Sequence, residues 1–544
     1  LKLRRALTLF LLGSLAGLVA LAFNFLFRLG GIAAFPPESA LTAFLGVIPA
    51  SIEEPMVQQF GDFAGQLGLF IATLIAAAAY GIILLVYDRF GAKRAASLGL
   101  GRFEGLLALG LVPWLLFGLV LFPLGGDAVF GTASPFASSS QVWAFPLTLL
   151  LTQGIFAWVL SLKYRPSIPG SAPRRKFVIG QGVRGRDVSR REFVEMGVIG
   201  FFAAVGAVVG LTSLGSLFST PVQATGGSQP IDLQDAPAIF SDPRLATLVG
   251  SELTPADNFY RVAIDVIDPT VGASGWSLMV DGMVNTPKSY SLQDVQALPQ
   301  VSEYSTFECV SNMVNGNLIS NAKWTGVKIS DLLADAGGVQ GGSTYLVFYS
   351  VDGYSVGIPL AKAMMDDSFL AYTMNDQPLP VKHGYPLRAV IPGYYGMMSP
   401  KWINRISVVP SVYDGYWQTR GWTNNATVYT ETFIVVPSAS TLSLSQNGGS
   451  IVVAGYAFAG DRGISKVEVS FDNGKTWQVA ELKKPLSNLT WALWAYEWQP
   501  PAAGEYQIVA RATDGNGLVQ TSVAADTFPN GATGYVTALL EVTN

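Results

Sequence analysis

Along its 544 residues the chain changes character once. Up to about residue 218 the apolar positions come in long runs; beyond it they alternate with polar ones, among many Gly, Asp, Asn and Trp. Five runs reach the roughly 20 residues that a helix needs to cross a bilayer: Ala6–Phe27, Gln66–Tyr87, Glu104–Pro123, Val142–Leu162 and Phe193–Phe218. These define a membrane region over 1–218. Residues 219–245 are rich in Ser, Thr, Pro, Gly and Gln and read as a tether. Over 246–431, β-type runs such as Trp276–Val280 and Tyr345–Tyr349 mix with helix-like ones such as Ile329–Ala336, which predicts an α+β domain. From 432 to 544 only strands and turns are predicted, with Val467–Trp477 a plain hairpin about Asn473-Gly474. That region reads as an immunoglobulin-like β-sandwich. The fold class is therefore multi-domain: an α-helical membrane bundle, an α+β domain and a β-sandwich.

Charge assigns the sides of the membrane. Lys2, Arg4 and Arg5 precede the first run, Arg89, Lys93, Arg94 and Arg102 separate the second from the third, and a dense group from Lys163 to Arg191 precedes the fifth. The other two loops, about 31–64 and 124–141, contain neither Lys nor Arg. The positive-inside rule then puts the N-terminus in the cytoplasm and everything after Phe218 outside a bacterial cell membrane. Arg28 is discordant and is expected to snorkel to the outer interface. Polar groups inside the runs are sparse, Thr152 and Gln153 being the clearest, and helix packing accounts for such groups more readily than transport does. Ahead of the fifth run stands Ser189-Arg190-Arg191-Glu192-Phe193-Val194, which resembles a twin-arginine export signal; paired arginines that hold a helix end inside are the alternative.

A net charge of −4 points to no nucleic-acid partner. Two singular residues matter more. Cys309 is the only cysteine and His383 the only histidine. A lone thiol makes no internal disulfide, so Cys309 is an inert core residue or a ligand.

Phe307-Glu308-Cys309-Val310-Ser311-Asn312, Asn321-Ala322-Lys323-Trp324-Thr325-Gly326, His383-Gly384-Tyr385-Pro386-Leu387-Arg388, Ser399-Pro400-Lys401-Trp402 and the Gly455–Trp477 segment together resemble the sulfite oxidase family of molybdenum enzymes, over about residues 250–544. The resemblance implies a molybdenum–molybdopterin cofactor with Cys309 as the protein ligand, and a soft thiolate suits that centre. It implies a cofactor pocket drawn from Asn258, Tyr260, Arg261, Ser350, Asp352, His383, Arg388, Ser399 and Lys401, with cations and donors for the pterin phosphate. His383 is expected to bond the cofactor rather than the metal, and for Ser350 and Asp352 loop packing is an equal alternative. The C-terminal region corresponds to the family's dimerisation domain, so a homodimer or a membrane complex is expected.

Substrate binding in the family uses arginines, for which Arg261 and Arg462 stand here, Asp461 offsetting part of the Arg462 charge. The chain departs from the family after the cysteine, where Val310, Ser311, Asn312 and Met313 replace an arginine pair, so a less basic pocket is expected. Tyr416, with Tyr413, lies near the place of a pocket tyrosine. The expected reaction is oxygen-atom transfer, most simply oxidation of sulfite, with reduction of a sulfoxide or N-oxide as the alternative and a non-catalytic subunit of a respiratory or photosynthetic complex as a third reading. With no membrane histidine and its one cysteine committed, the chain is expected to hold neither haem nor iron–sulfur cluster. Electrons then pass to an external carrier, a c-type cytochrome or a membrane electron-transfer subunit, for which the first four runs form a docking platform.

Overall fold

The computed structural model describes residues 2–29, 35–45, 62–100, 102–122, 144–164, 235–265, 268–269, 271–272, 275–445 and 448–544. They fall into two compact units, the N-terminal helices and the segment from 235 onward. The fifth apolar run, Arg190-Arg191 and most of the tether lie outside the described residues.

Among the described residues of the first unit, four helices are long and apolar enough to cross a membrane: Leu3–Arg28, Leu67–Ser97, Phe103–Leu121 and Pro146–Lys163. The first belongs to α1 (Lys2–Leu29), and a shorter helix, α2 (Pro36–Leu45), follows it. Glycines let the backbones approach. A Cβ at Gly17 would come within 2.6 Å of the Tyr80 ring, and one at Gly13 within 2.9 Å of the Gly81 Cα. The polar groups bond between helices: Asn24 Nδ2 donates to Thr152 Oγ1 (3.2 Å), and the Tyr80 hydroxyl to Gln153 Oε1 (3.0 Å). The snorkelling expected of Arg28 is corrected. Its guanidinium is buried and forms a two-point ion pair with Glu38 of α2 (2.8 and 3.0 Å), so a carboxylate 10 residues on meets the charge within the protein.

The second unit opens with an α+β part built on β1 (Leu278–Gly282), β2 (Lys288–Tyr290), β3 (Gln300–Glu308), β4 (Ile319–Lys328), β5 (Tyr345–Ser350), β6 (Ser355–Pro359), β7 (Phe369–Met374), β8 (Gln377–Pro378), β9 (Arg388–Val390) and β10 (Ile403–Val409). One sheet has the order β2-β1-β10-β5-β6, with β1 and β10 parallel; the other runs β3-β4-β7-β8, with β9 against β7. The helix expected at Ile329–Ala336 is present as Ile329–Asp335. Burial along β3 is uneven in a way that matters. Its first half meets solvent and its last four residues are buried, so the strand dives into the core as it reaches Cys309.

The C-terminal part is β-rich: β11 (Glu431–Val436), β12 (Thr441–Ser443), β13 (Ile451–Phe458), β14 (Ile464–Ser470), β15 (Gln478–Val479), β16 (Glu481–Leu482), β17 (Ala492–Trp498), β18 (Gly504–Asp514) and β19 (Val536–Thr543). They form sheets of order β11-β13-β17-β16 and β12-β19-β18-β14-β15. The hairpin after β14 is wider than its Asn-Gly pair predicts. Asn473 and Gly474 do have positive φ (61° and 79°), but pairing resumes only at Gln478, because the Asp472 carboxylate accepts from the Lys475 and Thr476 amides and holds the loop open.

Stitching between the two parts is polar and buried. Lys483 pairs with Glu252 (2.9 Å), Lys362 with Asp461 (3.2 Å), and the 487–491 turn bonds the edge of β3, Thr306 N donating to Leu489 O and Trp491 N to Thr306 Oγ1 (3.0 Å each).

Candidate active site

Cys309 sits where the β3–β4 ladder, in register from Gln300↔Val327 to Glu308↔Ile319, opens into a loop. Its N–H donates to Leu318 O (2.9 Å), continuing the ladder by one rung. Asn312 then shapes the turn: its N–H bonds Cys309 O (2.9 Å), its Nδ2 bonds Glu308 Oε1 (2.8 Å), and its Oδ1 accepts from Leu318 N (2.9 Å). Gly316 is required there, since a Cβ would lie 2.3 Å from Asn312 Oδ1. The thiol ends up 8 % exposed, with its Sγ 3.0 Å from Ser311 Oγ.

Behind the cysteine, Phe307 stacks on Trp324 (5.1 Å) and Phe259 meets both rings edge-on. Over these faces lies Arg388, 4.6 Å from the Phe307 centroid and 4.8 Å from that of Trp324, donating to His383 O (3.1 Å) and Ser399 O (3.2 Å). Burial pulls its pKa down to about 9. Lys401 lies over Trp402 (4.2 Å) with a long contact to Lys382 O (3.5 Å); burial, and then the neighbouring Arg261, pull it down to about 7. Arg261 is paired with Asp268 (2.7 Å).

Of the other expected pocket residues, His383 places Nε2 2.6 Å from Ala256 O, which fixes the proton on that nitrogen, and burial lowers its pKa to about 4, so the ring is neutral. Its N–H is thereby used within the protein, and Nδ1 has an acceptor lone pair to offer. Ser399 Oγ accepts from Ile391 N (3.0 Å). Ser350 Oγ is buried without a hydrogen-bond partner among the described residues. Asp352 accepts from Tyr354 N (3.0 Å), a loop-packing role, with burial raising its pKa to about 6. Asn258 is exposed at the turn where its N–H bonds Pro255 O. Tyr260 places its hydroxyl against Gly396, where a Cβ would come within 2.3 Å; burial, then the charge at Cys309, raise its pKa.

Two expectations need correcting. Arg462 donates to Asp514 Oδ2 (2.8 Å), Val428 O (2.9 Å) and Thr430 Oγ1 (3.3 Å), so its charge is met by Asp514, while Asp461 turns to Lys362 instead. A guanidinium so engaged is a structural tie between the C-terminal part and the 428–430 segment that leads into it. Tyr416 stacks behind Tyr354 (5.9 Å) under Arg420, and Tyr413 bonds Ser355 Oγ (3.0 Å). Tyr354, like Tyr260, is a phenol that feels the thiol: burial, then Asp352, then Cys309 raise its pKa, and it donates to Met397 O (2.7 Å). The sequence reading missed it, although it stands two residues after Asp352, at the foot of the Gly353 turn.

A second missed feature joins the two parts. The buried carboxyls of Glu308 and Glu431 (1 % and 3 % exposed) meet, and the Oε2 atom of each has no donor unless one carries a proton. Burial raises Glu308 to about 7, and burial with the facing carboxyl raises Glu431 further. Both folded values exceed the ordinary 4.5, so the folded chain binds more protons than the unfolded one above that pH. Stability is full below about pH 4.5 and is lost as pH rises through the folded values. Glu431→Gln, neutral at all pH and able to donate to Glu308, should flatten this: the melting temperature is expected to drop a few degrees less between about pH 5 and pH 8 than in the wild type. Parallel melting curves would refute the shared proton.

A soft thiol, a buried Arg388 and a partly buried Lys401 lying over aromatic rings, and an orphaned hydroxyl fit a metal-bearing pterin phosphate, because each is costly to bury until such a group meets it. The comparisons agree. The oxidoreductase molybdopterin binding domain matches residues 264–417, and the Mo-co oxidoreductase dimerisation domain residues 423–527. Human mitochondrial sulfite oxidase is 31 % identical over 357 residues, 56 % of this chain and 62 % of that protein. Sulfite oxidase of Gallus gallus is 31 % identical over 331 residues, 52 % of this chain and 72 % of that protein. The sulfane dehydrogenase SoxCD of Paracoccus pantotrophus, a crystal structure, is similar at a TM-score of 0.47 and 22 % identity over 54 % of this chain and 84 % of that one, too distant to bear on function. Fold and site thus define a molybdopterin-binding oxidoreductase domain joined to a β-rich domain of the dimerisation type. The chain belongs to the sulfite oxidase family. It spans about half to three fifths of the length of the mammalian sulfite oxidases it matches, 62 % for human and 51 % for mouse.

Proposed function

We propose that the chain is a membrane-anchored molybdenum oxidoreductase whose catalytic domain faces the extracytoplasmic side and which oxidises a small sulfur oxyanion of the sulfite type. The observation that carries this reading is the Cys309 thiol, delivered by a strand that dives into the core where the buried Arg388 covers the Phe307 ring, with the partly buried Lys401 in the field of that arginine. Bound there, the molybdenum–pterin group would supply two-electron oxygen-atom transfer. The protein's part is holding and orienting. Cys309 is the metal ligand; Arg388, Lys401 and Ser350 hold the phosphate end, and His383 Nδ1 accepts from the pterin. A phosphate would restore the charge on Lys401 that burial now disfavours. Tyr354 and Tyr260 wall the reacting side, and Arg261 is the anion contact. Both arginines are paired, but Arg261 lies in the field of Lys401, whereas Arg462 is also committed to Val428 O and Thr430 Oγ1 and is left out.

Electrons leave to an external carrier, a c-type cytochrome or a membrane subunit docked on the N-terminal helices. In this reading the fifth apolar run anchors the domain, Arg190-Arg191 serves its export, and the two C-terminal sheets form an immunoglobulin-like sandwich across which two copies pair. A sulfoxide or N-oxide reductase is the second reading, favoured by the pairing of Arg261 with Asp268, which leaves the pocket less basic than an oxyanion site asks for.

Metal analysis of the purified chain, followed by steady-state assays with sulfite and with a neutral sulfoxide, tests the reading. One charge-assisted contact in a shielded site contributes about 1.5–3 kcal/mol, so Arg261→Met should raise KM for sulfite at least about tenfold and leave a sulfoxide nearly unaffected. Arg462→Met should move neither KM. Equal, small effects of Arg261→Met on both substrates would remove that arginine from the pocket.

A further inference from the structure

We infer that Ser311 is a hydrogen-bond donor to the Cys309 sulfur that weakens it as a ligand and so raises the reduction potential of the metal it holds. The inference rests on Cys309 being the ligand.

The geometry is local and fixed. Asn312 closes the turn through Cys309 O, and its side chain is tied at both ends, to Glu308 and to Leu318 N. That turn folds the Ser311 hydroxyl back onto the sulfur two residues earlier, at 3.0 Å, with both side chains buried. As long as the sulfur carries its proton, either atom can donate. A metal-binding sulfur is a thiolate and has no proton to give, so the hydroxyl becomes the donor. Two phenols, Tyr260 and Tyr354, also lie in the electrostatic reach of Cys309, but Tyr354 donates to Met397 O, and Ser311 is the hydroxyl placed at hydrogen-bond distance from the sulfur.

A hydrogen bond to a ligating sulfur draws electron density away from the metal, which favours the reduced state; bonds of this kind are a recognised lever on the potentials of thiolate-held metals. For a centre that must accept two electrons from its substrate, a higher potential makes that step more favourable. Ser311 is accordingly a positioning and tuning residue, and it contacts the chemistry only through Cys309.

The test uses the full-length, cofactor-loaded protein in detergent with Ser311→Ala and Ser311→Thr. Molybdenum content is measured first, and the paramagnetic Mo(V) signal is then followed during a redox titration. Alanine should keep the metal but titrate at lower potential, with the ratio of oxidised to reduced metal at the wild-type midpoint shifted about tenfold, which is about 59 mV for one electron. Threonine, which keeps the hydroxyl, should return the ratio to within about twofold. Turnover with sulfite should fall in kcat with KM unchanged for alanine alone. An alanine variant that matches the wild type in both titration and signal overturns the inference while leaving the ligand assignment standing. A wild-type signal that persists unaltered in Cys309→Ser overturns the ligand assignment, and the role of Ser311 with it.

Discussion

Cys309→Ser is expected to abolish turnover while the domain stays folded. The backbone bonds that hold the residue, from its N–H to Leu318 O and from Asn312 N to its carbonyl, do not involve the side chain, and oxygen for sulfur changes little volume. What is lost is the soft donor. An alcohol is a poor substitute for a thiolate at a metal that prefers sulfur, so a fall in kcat of at least about a thousandfold is expected, equivalent to about 4 kcal/mol. The pterin end of the site is untouched, so cofactor content should decline far less than activity. Assaying turnover and bound pterin on the same preparation separates the two quantities; a serine variant with more than a tenth of the wild-type rate would show that the thiol is only a buried core residue.

The second large effect is expected at Arg388. Its guanidinium bridges two carbonyls, those of His383 and Ser399, and covers two stacked rings, so Arg388→Met strands two buried acceptors as well as removing the cation offered to the phosphate. Each stranded acceptor costs about 1–3 kcal/mol, and the lost charge-assisted contact a similar amount. Cofactor content should fall at least about tenfold, and the melting temperature of the purified protein by several degrees. Arg388→Lys should rescue little. An ammonium cannot reach two carbonyls in a fixed fork while lying flat on an aromatic face. Full pterin occupancy in the lysine variant, read by fluorescence after release, would move the phosphate site elsewhere.

Local pattern carried the reading of the chain where the deciding partners are close in sequence. The first four apolar runs and the Cys309 loop are of that kind: Asn312 and Gly316 act within a few residues of the thiol they position. Sequence order misled where the deciding partner is remote. Asp461 is adjacent to Arg462 and was the natural counter-ion, yet the backbone turns it toward Lys362, and Asp514, 52 positions on, takes its place. Arg28 looks like an isolated charge in sequence because its partner Glu38 falls in what reads as a loop, where the structure has a helix, Pro36–Leu45. The Glu308–Glu431 contact had no local signal at all, since it exists only when two differently built domains close on each other. Tyr354 was legible in principle. A tyrosine at a glycine turn, in a segment already chosen for the cofactor, deserved more weight than Tyr413 and Tyr416.

The strand that presents Cys309 has one more property. One edge of β3 is completed not by its own domain but by the 487–491 turn, and the carboxyl next to the thiol faces one supplied by β11. A gene cut at the apparent border near residue 431 would therefore not yield a smaller catalyst. It would leave open the wall against which the metal-binding loop is cast, so the two domains are separable on paper and have to be expressed, evolved and engineered as one piece.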